Sequence, residues 1–293
     1  MTKTLRLEDL ITVLFCLFMA ALTFWKREQI PTWKVRVAVD GVIVAISLVM
    51  PLTLRVWESR TTRFLRYWYP VAAVALVFFN LKGVVAGINP HDYDQQLIAI
   101  DRWLCGGVNP TQWIQQFGRP WLDEYLQLAY VSYYFIPIVV GIALFHQEDP
   151  GIFREKEPFR RALVVFLLTF YLSYVGYLLV PAIGPRFTLP HTREINGLLL
   201  TPYLKKIINI LEPTHRDCFP SGHTAVSVAA LLIALRHKRR LFWWLLPVVL
   251  SLIVSTVYHR YHYVVDVIAG MVLGAFAFCL GEWLFEQWER RWG

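Results

Sequence analysis

Charge is what this chain has least of. Only 17% of its 293 residues are Asp, Glu, Lys or Arg, whereas 56% are hydrophobic, and the mean hydropathy is +0.45. That composition excludes an ordinary soluble domain. Cysteine is also scarce. The four cysteines form no CxxC pair and no metal-ligand spacing, which speaks against a zinc module or a disulfide scaffold. There is no low-complexity tract, no internal repeat and no polar stretch long enough for a second, soluble domain. The net charge of +8 would suit a nucleic-acid binder, but the basic residues sit in short loops with no basic stripe interleaved with aromatics. They read as topology signals and contacts to anionic headgroups, so the expected partner is the bilayer and not nucleic acid.

What is present comes in apolar blocks. Eight can be read, near Leu10–Trp25, Val37–Trp57, Trp68–Val85, Leu122–Phe145, Ala162–Ile183, Ser221–Leu235, Leu241–Tyr258 and Tyr263–Phe285. A crossing needs about 20 apolar residues. The first and sixth blocks are short, so seven spans or one re-entrant segment also fit. Trp and Tyr recur at block ends, as in interfacial belts. Lys3 and Arg6 precede the first block, but Glu8 and Asp9 follow and no small-residue cleavage site is seen, which favours a retained span over a signal peptide. The expected fold is an all-α polytopic transmembrane helical bundle of about eight spans. Residues 1–66 would form N-terminal membrane spans and residues 67–293 a catalytic membrane domain. Asp94–Leu104 places acidic residues beside apolar ones at helical spacing and reads as an amphipathic helix in the interface.

Eight spans bring Arg186, His223, His262 and Asp266 out on one membrane face. The opposite loops carry Arg55, Arg60, Arg63 and Arg66, then Arg154, Lys156, Arg160 and Arg161, then Arg236, Lys238, Arg239 and Arg240. By the positive-inside rule the four residues face the extracytoplasmic side, although Lys26, Arg27, Lys34 and Arg36 vote against it. Cys105 and Cys218 fall in loops on the same side, a placement that would allow a disulfide. Cys16 and Cys279 lie inside apolar blocks, as small core residues do.

Three segments carry titratable groups at block edges, where charge is expensive unless used. Pro181–Arg186 stops a helix and presents a guanidinium, which matches phosphate oxygens in bidentate fashion. In Pro220-Ser221-Gly222-His223, Ser221 is a good N-cap, Gly222 permits close approach, and the helix terminus suits an anion, with His223 as proton donor. His262 and Asp266 stand at i and i+4, so on a helix the carboxylate would hold one imidazole nitrogen and leave the other as base or nucleophile. Singly, each has a plainer explanation: a snorkelling arginine, an ordinary cap, an interfacial histidine. Metal ligation by His259, His262 and Asp266 is a third option, opposed by Arg260 in their midst. A transporter or non-catalytic lipid-binding protein is a competing class, for which Asp40 would be the main intramembrane charge.

Taken in order, the three segments resemble the type 2 phosphatidic acid phosphatase superfamily. Its signature is a basic segment ending in Arg-Pro, then Pro-Ser-Gly-His, then Ser-Arg-x5-His-x3-Asp. The resemblance implies a lipid phosphatase or phosphotransferase needing no metal or other cofactor. It assigns His262 as nucleophile through a phosphohistidine, Asp266 as its orienter and His223 as general acid. Arg186, Ser221 and Gly222 would contact phosphate. Leu179 replaces the family's first lysine, Phe187 follows Arg186 where proline is usual, and Thr256 replaces the arginine after Ser255. Arg260 would supply the missing charge. Gly-Pro-Arg, Arg-Tyr-His-Tyr-Val-Val-Asp, Asp101–Trp113 and Tyr130–Phe135 are similar to the branch that includes inositol phosphorylceramide synthases. That branch moves a phosphoinositol headgroup between lipids. The implied substrate is a phospholipid or other lipid phosphate, with water or an alcohol as acceptor.

Overall fold

The computed structural model describes residues 5–57, 59–146, 157–191, 193–212 and 214–292. Arg154 and Lys156 of the topology argument lie outside them. Among the described residues there are helices and no strand. In chain order they are α1 (Leu7–Trp25), α2 (Trp33–Val56), α3 (Arg60–Asn80), α4 (Val84–Ile88), α5 (Asp94–Leu104), α6 (Pro110–Trp113), α7 (Pro120–Val131), α8 (Ile136–Phe145), α9 (Glu157–Leu179), α10 (Pro185–Thr188), α11 (Thr201–Leu211), α12 (Gly222–His237), α13 (Arg239–Tyr258) and α14 (Val264–Trp292).

Each apolar block falls on a helix, but among the described residues fewer than eight helices are long and apolar enough to cross a bilayer. Five helices (α1, α2, α9, α13 and α14) are long and apolar enough to span a bilayer. A sixth counts if the α7–α8 pair, bent by 45°, is one broken span. The shortfall has physical causes. α3 opens with Arg60, Arg63 and Arg66, and α12 has 16 residues, which at about 1.5 Å per residue falls short of a hydrocarbon core of about 30 Å. The apolar helices mark an integral membrane protein.

α9, α12 and α14 form the centre. Their contact is close because α14 presents glycines: a Cβ at Gly270 would lie 2.5 Å from the Ser221 carbonyl oxygen, and one at Gly274 would lie 2.3 Å from that of Ala225. Small residues four apart let helix backbones approach, which is how helices gain packing in lipid. Ala225, Val226, Ala229 and Ile233 of α12 are fully buried. α1 joins this core through Phe15, whose ring stacks on Tyr171 at 4.2 Å.

α5 is amphipathic, as the spacing predicts, and its acids bind backbone. Asp94 accepts the amide hydrogens of Ile183 and Gly184 at 2.9 and 2.8 Å. Asp101 accepts those of Val264 and Val265 at 2.9 and 2.8 Å, capping α14. Leu97 and Ile98 pack with Ala182, Cys218 and Tyr263. One short helix thus ties together the three segments that carry the motifs, while Trp103 faces outward.

Candidate active site

His262 precedes α14 and is not part of it. Its Nδ1 lies 2.8 Å from the Cys218 carbonyl oxygen. A carbonyl can only accept, so Nδ1 carries the hydrogen and Nε2 keeps its lone pair. Asp266 stands further off, with Oδ2 at 3.6 Å from Nδ1. That oxygen accepts the Tyr263 amide hydrogen at 2.8 Å, the reciprocal half of a capping box, and the Cys218 thiol at 2.9 Å. The helical i, i+4 hydrogen bond expected from spacing is therefore replaced. The Cys218 carbonyl fixes the imidazole, and Asp266 backs it electrostatically from within α14's first turn.

Cys218 is not in a disulfide; all four cysteines are free, Cys105 exposed and Cys218 buried. Burial, then the charge of Asp266, pushes the Cys218 thiol well up, so it stays a donor. Cys218, His262 and Asp266 are also the group whose ligand atoms, all within 4.8 Å of one another, could hold a cation among the described residues. His259 does not join them. The Cys218 thiol already donates to Asp266 Oδ2 and His262 Nδ1 lies on the Cys218 carbonyl, so a metal at these atoms would have to break both hydrogen bonds.

His223 opens α12. Its ring centroid is 5.7 Å from that of His262, and its Nε2 is 3.1 Å from Glu212 Oε1. Ser221 caps α12 by accepting the Thr224 amide hydrogen at 3.3 Å, while its own amide donates to the Asp266 carbonyl oxygen at 3.0 Å. Ser221 is fully buried. A Cβ on Gly222 would meet the Tyr177 hydroxyl at 2.4 Å, so the close approach this glycine permits is that of a tyrosine. Ser221 and Gly222 stand behind His223 and are not among the residues lining the cavity described below.

Arg260 occupies an unusual backbone position. α13 ends in a Schellman motif: the Tyr261 amide donates to the Thr256 carbonyl and the Arg260 amide to that of Val257, at 2.9 and 3.1 Å. The residue between must be left-handed, and Arg260 has φ +67° where glycine is usual. This turn carries the guanidinium inward. Its Nη2 donates to Gln115 Oε1 at 3.0 Å and to the Arg193 carbonyl at 2.6 Å, both neutral acceptors. Burial, then the Arg193 charge, holds Arg260 below its ordinary pKa. Arg186 follows Gly184, whose φ of +99° admits no side chain: a Cβ there would lie 2.9 Å from the Tyr261 carbonyl oxygen. The Arg186 Nη1 donates to Asn209 Oδ1 at 3.2 Å, again a neutral partner.

Arg186, His223, Arg260 and His262 line one cavity of about 340 Å³. Part of its wall is apolar, with Trp68, Val71 and Phe78 of α3, Ile138 of α8, and Phe166 and Phe170 of α9. The polar part adds Tyr130 and Tyr134, from the Tyr130–Phe135 stretch, and two residues that motif reading did not pick out, Glu212 and Asp217. Burial opposes ionisation of Glu212, but His223 and the Tyr134 hydroxyl hold it below its ordinary value. Burial, then the Glu212 charge, holds Asp217 well above the carboxylate range. Asp40, the intramembrane charge a transporter would use, is not part of this cavity; it accepts from Asn80 Nδ2 at 2.9 Å between α2 and α3.

A family model for the PAP2 superfamily matches residues 95–280. The chain belongs to the PAP2 superfamily. It is 25% identical over 253 residues to a PA-phosphatase related-family protein of Dictyostelium discoideum, covering 73% of this chain and 46% of that protein. It is 25% identical over 201 residues to a phosphoinositol dihydroceramide synthase of Bacteroides thetaiotaomicron, covering 62% and 61%. The chain thus spans less than two thirds of the length of either curated relative. No solved structure matches it. Membership identifies a lipid phosphatase/phosphotransferase family.

Proposed function

We propose that this membrane protein cleaves or transfers a lipid phosphate ester through a phosphohistidine. The observation that carries the reading is the His262 hydrogen bond: with Nδ1 committed to the Cys218 carbonyl, the Nε2 lone pair is the nucleophile, in a cavity shared with His223 and two arginines. Nε2 forms a bond to phosphorus as the bond to the leaving oxygen breaks. His223 gives that oxygen its proton. Arg186 and Arg260, whose partners are neutral, stabilise the charge on the equatorial oxygens. Water or an alcohol then attacks the phosphohistidine, losing its proton to the now neutral His223. The apolar wall suits acyl chains. The relative named as a phosphoinositol dihydroceramide synthase supports an alcohol acceptor, and an inositolphosphotransferase-like activity is the finer form of this proposal. The arginine-rich far end supports a site on the extracytoplasmic face.

The test is turnover in detergent micelles of phosphatidic acid and phosphatidylinositol, with and without a ceramide acceptor, read by mass spectrometry. Released phosphate marks a hydrolase and a phosphorylated acceptor marks a transferase. Orthovanadate, a mimic of five-coordinate phosphorus, is expected to inhibit both. No product with any of these lipids would contradict the proposal.

A further inference from the structure

His223 does not stand alone on the cavity wall. Its Nε2 faces Glu212 Oε1 at 3.1 Å. Glu212 is itself fixed: the Tyr134 hydroxyl donates to it at 2.6 Å and the Tyr130 hydroxyl at 3.2 Å. The rings of Tyr130 and Tyr133 lie against the imidazole, with centroids at 4.5 and 4.1 Å. His262 occupies the remaining side. α9 contributes the neutral phenol Tyr177 at Gly222. α14's Asp266 lies beyond His262, engaged with Tyr263 and Cys218. Asp217, the other carboxyl on this wall, is pushed towards its protonated form. Glu212 is therefore the carboxylate in contact with His223.

We propose that Glu212 is a positioning residue for His223, holding the ring through its charge and favouring the protonated form that acts as general acid in the reaction inferred above. The chemistry requires such a group. An imidazole packed between tyrosine rings and beside a second histidine loses its proton readily, because burial and a like charge disfavour the imidazolium. A carboxylate 3.1 Å away opposes that loss by its charge, while burial still holds His223 below its ordinary value. With the Nε2 edge of the ring against Glu212, Nδ1 delivers its proton to the leaving oxygen and later takes one from the incoming water or alcohol. Throughout, Glu212 stays ionised and the ring cycles between imidazolium and imidazole. The two tyrosine hydroxyls keep the carboxylate from collecting the proton itself.

The experiment titrates His223 directly. Full-length protein in micelles, labelled with ¹³C-histidine, gives the imidazole pKa by NMR, with the resonance assigned by its loss in His223→Gln. In Glu212→Gln the His223 pKa is expected to fall by about one unit or more, and the alkaline limb of kcat/KM for phosphatidic acid to move down with it. Glu212→Asp keeps the charge at shorter reach and serves if the Gln variant does not fold; its limb is expected between the two. A His223 pKa and an alkaline limb at their wild-type positions in both variants would overturn the proposal, even with His262-dependent turnover intact. Wild-type protein that titrates as expected but turns over no lipid phosphate ester would instead overturn the functional reading, and with it the catalytic role of the pair.

Discussion

The arginines that line the cavity are held differently from those at the far end of α9 and α14. At the N-terminal end of α9 and the C-terminal end of α14, Arg66, Arg160, Arg161 and Arg236 each rest on a carboxylate. Arg66 grips Asp9, with Nη1 to Oδ1 at 2.7 Å. Arg160 sits 3.1 Å from Glu8 and 3.3 Å from Glu289. Arg161 and Arg236 share Glu282 at 2.9 and 3.3 Å. At the other end, Arg193 and Arg216 are paired with Asp123 and Asp92, but the cavity's Arg186 and Arg260 donate to an amide or carbonyl oxygen, and Glu212 in the cavity wall lies against His223. Buried charges that find partners hold a structure together. Buried cations left on neutral acceptors retain attraction for an anion yet to arrive.

The largest expected effect separates the ends outright. His262→Ala should lower turnover by about 10⁴-fold or more while leaving thermal unfolding in detergent nearly unchanged. Arg66→Ala should do the reverse, costing roughly 3–5 kcal/mol by leaving Asp9 buried and unpaired. Its folded fraction should turn over within about tenfold of wild type, because Arg66 is remote from the reacting phosphorus. Comparable loss of chemistry in both variants would erase the distinction.

Arg260 comes next. Arg260→Lys should cost about 10²-fold in kcat/KM, since an ammonium loses the guanidinium fork. Near-normal activity in Arg260→Ala would leave the phosphate to Arg186 and backbone amides. The backbone gives a second reading of the same residue. Arg260→Gly and Arg260→Ala both remove the guanidinium, but only glycine is at ease at φ +67°. The glycine variant should therefore be about 1 kcal/mol the more stable in chemical denaturation.

A smaller effect is expected at Asp266. The Cys218 carbonyl is nearer to His262 Nδ1 than Asp266 is, at 2.8 against 3.6 Å. Asp266→Asn should thus slow the first chemical step by about 10²-fold, less than loss of the imidazole, as read in single-turnover kinetics. Loss equal to that of His262→Ala would make Asp266 the primary orienter instead.

Much of this was legible in the chain. The apolar blocks became helices because hydropathy is local, and prolines and glycines marked where they stop. Arg186, His223 and His262, three of the four residues placed together at block edges, line one cavity with Arg260, whereas Asp266 stands behind His262 outside the lining. The parts that could not be read are contacts between distant residues. Tyr134 and Glu212 are 78 positions apart, and His262 and Cys218 are 44 apart. No periodicity records such pairs. Glu212 belongs to none of the three motif segments. Cys105 and Cys218 were placed in loops on one side, but a shared side says nothing of whether two sulfurs meet. Ser221 and Gly222 show the reverse difficulty: a cap signal was readable, while the buried packing around it was not. Eight apolar blocks gave five or six helices that pass as spans by length and composition, because apolar content alone does not register that α12 is short and α3 is charged at its start.

The account stands on covalent chemistry at one nitrogen. Rapid quench during turnover of labelled lipid phosphate, followed by peptide mapping by mass spectrometry, reads it directly. The expected result is an acid-labile, base-stable phosphoryl group on Nε2 of His262, trapped in wild type and absent from His262→Ala. Turnover at the wild-type rate in His262→Ala, or label trapped on another residue, would contradict the account.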